Sequence, residues 1–372
     1  MNIVVICNSY PTTANPLNQI FIKKIVNQLE LRGHDVSVCY NRIFDFWGSA
    51  NGVKNPFANF LKYVFFFGSV FFFWILRKKR TDLIFSHAIV FPTSAAVVLK
   101  LFTGIKVVSY VHGGDLNSYY RKKGVLNRIL RVSLDRADHI ICNSQDIYEK
   151  VLAVSVNPNT SIITPGVDLT VMRELQNLPL IREKHQVALD KPLILLAGNA
   201  IKRKGFDIFL DALKLIDKSV LKKLQVVILT DGPEKENLIG LVALYNLNEV
   251  VSIRSKVSPE VLNEYNNIAD VFVFPSREEP LGLVALEAAA ASTIVIGARV
   301  GGIKEFLVDN KTGFLFTPES SVDLAAKLSF VLSNLSQLNY MYPYITKMAR
   351  THSLTESVDK LEDLFGKLIY NS

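Results

Sequence analysis

Several things are scarce or missing in this chain, and each absence narrows what it can be. Cysteine is nearly absent: Cys7, Cys39 and Cys142 are the three in 372 residues. An odd, scattered set, each within an apolar run and none at metal-ligand spacing, excludes a disulfide framework or a zinc knuckle. It fits buried thiols in a reducing compartment. No Asp-x-Asp occurs. No G-x-G-x-x-G follows the first apolar run, which argues against an ordinary nicotinamide-dinucleotide fingerprint. The start, MNIVVICNSYP, has neither basic leader nor long apolar core and is expected to be a first strand. The Phe-rich run from Tyr63 to Leu76, uninterrupted by charge, falls short of the ~20 residues of a spanning helix. Basic residues do not interleave with aromatics as on a nucleic-acid platform, so no nucleic-acid partner is expected.

What is present is ample apolar content, 49%, and a net charge of +8. The length suggests two domains. The charge points to anionic partners such as nucleotide phosphates or phospholipid headgroups.

The most informative stretch is Ala269 to Ala291. Val271 to Phe274 reads as a strand buried on both faces. Pro275 to Pro280 breaks it, and from Gly282 a run of Leu, Val, Ala and Glu favours helix. A strand, tight turn and helix start form an anion site, because the first helical amides lack intrahelical partners. Glu279 in the turn and Glu287 in the helix flank it. Carboxylates are poor phosphate ligands but good acceptors for sugar hydroxyls, so the pattern suits a nucleotide sugar. Taken alone, two glutamates here could equally serve only the helix dipole.

Elsewhere apolar strands alternate with amphipathic helices, predicting two βα arrays with mostly parallel sheets. In the first, strands fall at Ile3 to Cys7, Val36 to Tyr40, Leu83 to Ser86, Lys106 to Val111 and His139 to Asn143. Helices fall at Phe21 to Arg32, Thr93 to Phe102 and Leu126 to Ala137. The loop His112-Gly113-Gly114-Asp115 leaves a strand's carboxyl end, where such sheets bind ligands; His112 could donate to a substrate or merely cap its own turn. Ile162 to Asp168 reads as a strand end with a Pro-Gly turn. Leu169 to Lys191 is polar and helix-poor, and the domain boundary is placed there.

The second array has strands near Leu193 to Ala197, Gln225 to Leu229, Val250 to Ile253, Val271 to Phe274 and Thr293 to Ile296. Helices are expected near Phe206 to Ile216, Glu234 to Tyr245, Pro259 to Ile268, Leu283 to Ala291 and, last, Thr355 to Leu368. The loop Gly198 to Gly205 carries three basic residues where a diphosphate would lie. Gly301-Gly302 would allow close backbone approach or simply a turn.

Phe57 to Arg80 holds seven Phe and one Trp between Phe60 and Trp74, and ends in Arg77, Lys78, Lys79 and Arg80. Such a segment can lie in an anionic bilayer interface, or be a buried helix with a solvated basic end.

With these residues in view, the chain resembles, over nearly its whole length, the retaining glycosyltransferases of family 4, which have the GT-B architecture. The resemblance rests on Glu279, seven residues, Glu287, preceded by Pro275-Ser276. Lys204-Gly205, Pro165-Gly166-Val167-Asp168, Val300-Gly301-Gly302-Ile303 with Glu305, Thr312-Gly313-Phe314 and the His112 loop match in order and spacing. It implies an α/β fold of two Rossmann-like doubly wound domains facing across a cleft. Residues 1–170 would bind the acceptor and 171–354 the nucleotide sugar, with the helix 355–372 packing back on the first. By the resemblance, Glu279 holds sugar hydroxyls, Glu287 the ribose, and Gly282 and Leu283 offer amides to the donor. Lys204 neutralises the leaving diphosphate, Val257 contacts the base, and His112 sits near the sugar. Asn199 replaces the family's arginine, so Lys202 or Arg203 supplies a second charge. Pro280-Leu281 replace Gly-Phe, and Gln19 stands where a glycine is usual.

The implied function is metal-independent transfer from a UDP- or GDP-linked sugar to a lipid-linked or oligosaccharide acceptor in surface polysaccharide synthesis. No cofactor is expected. The enzyme is expected to be cytoplasmic, peripheral to the membrane's inner face through 57–80. A GT-B nucleotide-sugar epimerase and a non-catalytic sugar-nucleotide-binding or scaffold protein are the alternatives.

Overall fold

The computed structural model describes residues 1–13, 15–40, 56–76, 80–119 and 124–370. Arg77, Lys78 and Lys79 of the basic cluster lie outside them. The chain divides into two compact units, one of Met1–Pro165 with Leu354–Ser372, the other of Gly166–Ser353.

The first unit is a six-stranded parallel sheet in the order β2-β1-β3-β4-β5-β6. The strands are β1 (Asn2–Cys7), β2 (Asp35–Tyr40), β3 (Leu83–His87), β4 (Lys106–Val111), β5 (His139–Cys142) and β6 (Thr160–Ile162). Helices cover both faces, which is why β3 is buried at all five residues. Against one face pack α1 (Ile20–Leu31), through Ile22, Ile25, Val26 and Leu29, and the last helix, α16 (Leu354–Tyr370), through Val358, Leu361 and Phe365. The other face takes α2 (Pro56–Leu76), α3 (Ser94–Thr103), α4 (Gly114–Tyr119), α5 (Val125–Arg136) and α6 (Gln145–Leu152).

Helix α2 is unusual. Phe66 and Val70 are buried in the core, but Phe65, Phe71, Phe72, Ile75 and Leu76 are exposed. Leu101 and Phe102 of α3 are exposed too. Among the described residues no helix is long and apolar enough to cross a membrane.

The second unit is also a six-stranded parallel sheet, ordered β12-β11-β10-β7-β8-β9. Its strands are β7 (Leu193–Asn199), β8 (Gln225–Asp231), β9 (Val251–Arg254), β10 (Val271–Phe274), β11 (Ile294–Ala298) and β12 (Phe314–Phe316). Between them run α8 (Phe206–Leu213), α9 (Lys218–Leu221), α10 (Lys235–Leu244), α11 (Pro259–Ile268), α12 (Leu283–Ala290) and α13 (Ile303–Phe306). Counted from β7, the order is that of the dinucleotide-binding sheets, with its reversal between β7 and β10.

Four sequence expectations are corrected. Leu169 to Lys191, read as helix-poor, contains α7 (Leu178–Lys184). Its stability is tertiary: Arg182 donates to the carbonyls of Ala188, Lys191 and Ile268 and pairs with Asp270 at 2.9 Å. The strand end read over Ile162 to Asp168 reaches only Ile162: β6 is Thr160–Ile162, ending before Pro165, which has no amide to donate, and Gly166, whose φ is +75°. The helix placed from Phe206 to Ile216 stops at Leu213. Finally, β12, α14 (Ser321–Ser333) and α15 (Tyr342–Thr351) were not anticipated. A three-residue strand is too short to show a period.

Candidate functional site

In the second unit the loops that leave β7, β10 and β11 meet at the carboxyl edge of the sheet, at the reversal of strand order. In such sheets that crevice is where ligands bind. After β7 the chain makes a 3-10 turn, Lys202–Lys204, closed by Gly205 at φ +65°. A Cβ on Gly205 would lie 2.0 Å from the carbonyl oxygen of Pro275, so glycine is required for the β7 and β10 loops to touch. The Arg277 amide donates to the Arg203 carbonyl at 2.8 Å. Its guanidinium forks onto Asp207 with two 2.8 Å bonds and donates to the Lys202 carbonyl. Burial pushes the Asp207 carboxyl up, but the Arg277 bonds and charge outweigh it and hold it below its usual value.

The β11 loop is locked on in the same way. A Cβ on Gly301, at φ +48°, would sit 1.7 Å from the Glu279 carbonyl oxygen, and the Gly302 amide donates to that oxygen at 3.3 Å. The pair Gly301-Gly302 therefore serves close backbone approach.

This scaffold brings Lys204 and Glu279 together. Lys204 Nζ donates to Glu279 Oε2 at 2.6 Å, with side chains only 13% and 11% exposed. The ammonium lies 4.9 Å from the centre of the Phe274 ring, an apolar wall that keeps it directional. One of its three donors is engaged by Glu279 and the others are available to a ligand. Beside them Gly282, at φ +95°, begins α12, and as a glycine it has no side chain to cap the first amides of that helix. A cation and helix-start amides converging within one loop set are chemically suited to receive an anion, with a carboxylate on the border.

The remaining residues singled out from sequence distribute along the same edge. Arg203 is exposed, its guanidinium 3.5 Å from the Glu278 carbonyl. Asn199 ends β7, exposed and in register with Asp231. Leu281 is buried; Leu283 and Glu287, on α12, are half-buried. Val257 follows β9, two strands from β7, and packs on the unit's core. His112 belongs to the first unit.

There it lines a cavity of about 120 Å³ with Asn8, Gln19, His87, Ala88 and Gly113. The cavity opens where that sheet's order reverses, between β1 and β3. Gln19, where a glycine was expected, adopts the left-handed conformation itself, φ +51°, at the start of α1. His87 was not singled out from sequence. It closes an apolar strand, and nothing local distinguishes it from a core histidine. Among the described residues no three His, Cys, Asp or Glu side chains gather as metal ligands.

Comparison with known proteins bears on the fold and on the two halves of the chain. Residues 19–171 match the family model described as Glycosyltransferase Family 4, and residues 179–348 that of Glycosyl transferases group 1. A D-inositol 3-phosphate glycosyltransferase of Streptomyces scabiei is 32% identical over 189 residues, 48% of this chain and 42% of that protein. An uncharacterised glycosyltransferase of Methanocaldococcus jannaschii is 27% identical over 261 residues, 70% of this chain and 68% of that protein. The matches span 41% to 57% of the length of three inositol phosphate glycosyltransferases, so the chain covers about half of each. Among solved structures, sucrose-phosphate synthase from Thermosynechococcus elongatus superposes with a TM-score of 0.85 at 18% identity over 100% of both chains. Anabaena HepE in complex with UDP superposes at 0.77 and 17% identity, over 99% of this chain and 100% of that one. The fold is GT-B, two Rossmann-like domains, and both halves of the chain match glycosyltransferase family models. Its first half carries a family 4 domain and its second half a group 1 domain.

Proposed function

We propose that this chain is a retaining glycosyltransferase that moves a sugar from a nucleotide diphosphate, UDP- or GDP-linked, to a saccharide acceptor. The observation that carries the reading is the Lys204–Glu279 pair at the strand-order reversal, beside the uncapped start of α12. In this reading the amides of Gly282 and Leu283 and the ammonium of Lys204 receive the diphosphate. Charge developing on the leaving phosphate is met by donors already in place. Glu279 accepts hydroxyls of the transferred sugar, Glu287 those of the ribose, Val257 borders the base, and Arg203 adds a solvated charge. Pro280 has no amide, so the donor is held by the helix start rather than by the loop before it. These groups supply what a divalent ion supplies elsewhere, and transfer is proposed to proceed without metal. Glu279 positions the sugar; leaving phosphate and entering hydroxyl share one face.

The test is donor hydrolysis and transfer with UDP- and GDP-sugars in the presence of chelator. Lys204→Ala is expected to lower kcat at least ~100-fold, as for other preorganised contacts to transition-state charge. Turnover unchanged by that substitution removes Lys204 from the mechanism. Donor consumed only as an epimer, with no acceptor required, would favour the epimerase alternative.

The acceptor is proposed to be lipid-linked, a precursor of surface polysaccharide, with the enzyme on the inner face of the membrane. What supports this is the exposed apolar side of α2 and α3, together with the four basic residues 77–80 that follow α2 in the sequence. Exposed aromatics next to cations suit the boundary of an anionic bilayer. Flotation with anionic vesicles is expected to carry the protein up, and Phe71→Ser/Phe72→Ser to abolish it. A protein that stays down without the double change sinks the membrane reading.

A further inference from the structure

The cavity of the first unit pairs His112 with His87, a histidine that has no assigned role. His87 Nδ1 lies 2.9 Å from His112 Nε2, and the rings are within 6° of coplanar, as an in-plane N–H···N bond requires. His87 is 1% exposed, among Phe85, Tyr110 and Phe21. Its other nitrogen, Nε2, is buried with no partner. Burial keeps both rings neutral: His87 is held well below its usual value, and His112 is pushed down to about 3.

Two neutral imidazoles sharing one hydrogen bond have one proton between the bonded nitrogens, and the choice sets both tautomers. If His112 Nε2 donated, His87 would carry its proton on Nε2, leaving an orphaned buried N–H. Orphaned buried donors are rarer than orphaned acceptors. The proton of His87 is therefore on Nδ1, and His112 must carry its own on Nδ1. Among the described residues that nitrogen has no hydrogen-bond partner, and it is not among the fully buried polar atoms, on a residue that lines the cavity.

The backbone around His87 is built at a cost. Ala88 sits at φ +81°, ψ 153°, a region otherwise left to glycine and costing ~1–3 kcal/mol. Its amide donates to the Tyr110 carbonyl at 3.2 Å, and its carbonyl accepts from Thr93 Oγ1 at 2.8 Å. Thr93 spends its one proton there, and its oxygen lies 2.9 and 2.8 Å from the hydroxyls of Ser86 and Ser109. A buried hydroxyl triad thus clamps the strained turn that aims His87.

We propose that His87 is a positioning residue: by donating Nδ1–H to His112 it fixes the tautomer and plane in which His112 offers Nδ1–H to a ligand oxygen. The inference rests on the glycosyl-transfer reading for what that ligand is, and on the first unit alone for the tautomer.

The experiment is nitrogen-15 NMR of the full chain labelled at histidine, with kinetics of three proteins: wild type, His87→Phe and His87→Asn. In wild type, His112 is expected to carry its proton on Nδ1. His87→Phe keeps the aromatic packing, frees the tautomer and lowers kcat about 10-fold, the worth of one hydrogen bond, with donor KM little changed. His87→Asn, whose amide nitrogen can take the place of Nδ1, restores most of the loss, which a packing role would not allow. A proton on His112 Nε2 in wild type overturns the proposal. So does a His87→Phe enzyme with wild-type kcat. A protein with the Nδ1 proton but no transfer activity refutes the proposed function and leaves the tautomer assignment standing.

Discussion

Replacing Lys204 by Met tests the stability side of the anion site separately from its chemistry. Methionine keeps the unbranched stem, so contacts with the Phe274 wall largely survive and only the charge is removed. What remains is a Glu279 carboxylate 11% exposed that has lost a 2.6 Å partner. Breaking a fully buried pair costs 3–5 kcal/mol, and exposed pairs are worth 0.2–1, so a pair this enclosed falls at about 2–3 kcal/mol. For a unit of this size that lowers Tm by roughly 4–10 °C. Adding Glu279→Gln removes the stranded charge, and the double variant is expected to recover to within about 1 kcal/mol of wild type. The assay is urea denaturation at pH 7, following the transition of the second unit at constant m-value. On the proposed function, transfer activity is expected to be lost in both variants, since each removes a group assigned to the donor. A single variant as stable as wild type, or a double variant no better than the single, refutes the reasoning that the pair shields a nearly buried charge.

Two glycines make a matched comparison: Gly301→Ala must push the Glu279 carbonyl aside from 1.7 Å and should cost at least ~2 kcal/mol and donor binding. Gly366→Ala, in α16 with open space around the new methyl, should gain ~0.5–1 kcal/mol; chemical denaturation reads both. In the first unit Arg32 of the α1 end pairs with Asp359 at 2.6 Å and with Glu362, which also bonds His34. Burial pushes Glu362 up, but bonds from Arg32 and His34 prevail and hold it below its usual value. A depressed carboxylate stabilises above its unfolded pKa of about 4.3, and that gain is lost as pH falls through the folded value. Arg32→Ala should therefore cost about 1 kcal/mol at pH 7 and less below pH 4, as thermal melts across pH would show.

Much of this was legible in the chain because its signals are local. β10 and α11 fall where apolar runs and the Ser258-Pro259 helix start put them. A strand buried on both faces must be continuously apolar, and a helix must repeat near every fourth residue, whatever surrounds them. Lys204 and Glu279 were identified by resemblance as one site, and the structure places them 2.6 Å apart. What stayed hidden depends on partners distant in sequence. α7 is held by Arg182 reaching carbonyls from Ala188 to Ile268, and no window over 178–184 contains that information.

The sequence by itself determined the alternation of strand and helix, and with it the two doubly wound sheets, because burial period and helix-start chemistry are written residue by residue. Only the tertiary structure decided which loop ends coincide. Strand order sets β7 beside β10, and backbone contact tighter than any side chain allows requires glycine at 205 and 301. The same is true of His87, an unremarkable end to a strand until β3 and β4 lie side by side and its ring reaches His112. Hydrogen bonds act over about 3 Å, and no spacing along a chain reports which groups folding brings within that range.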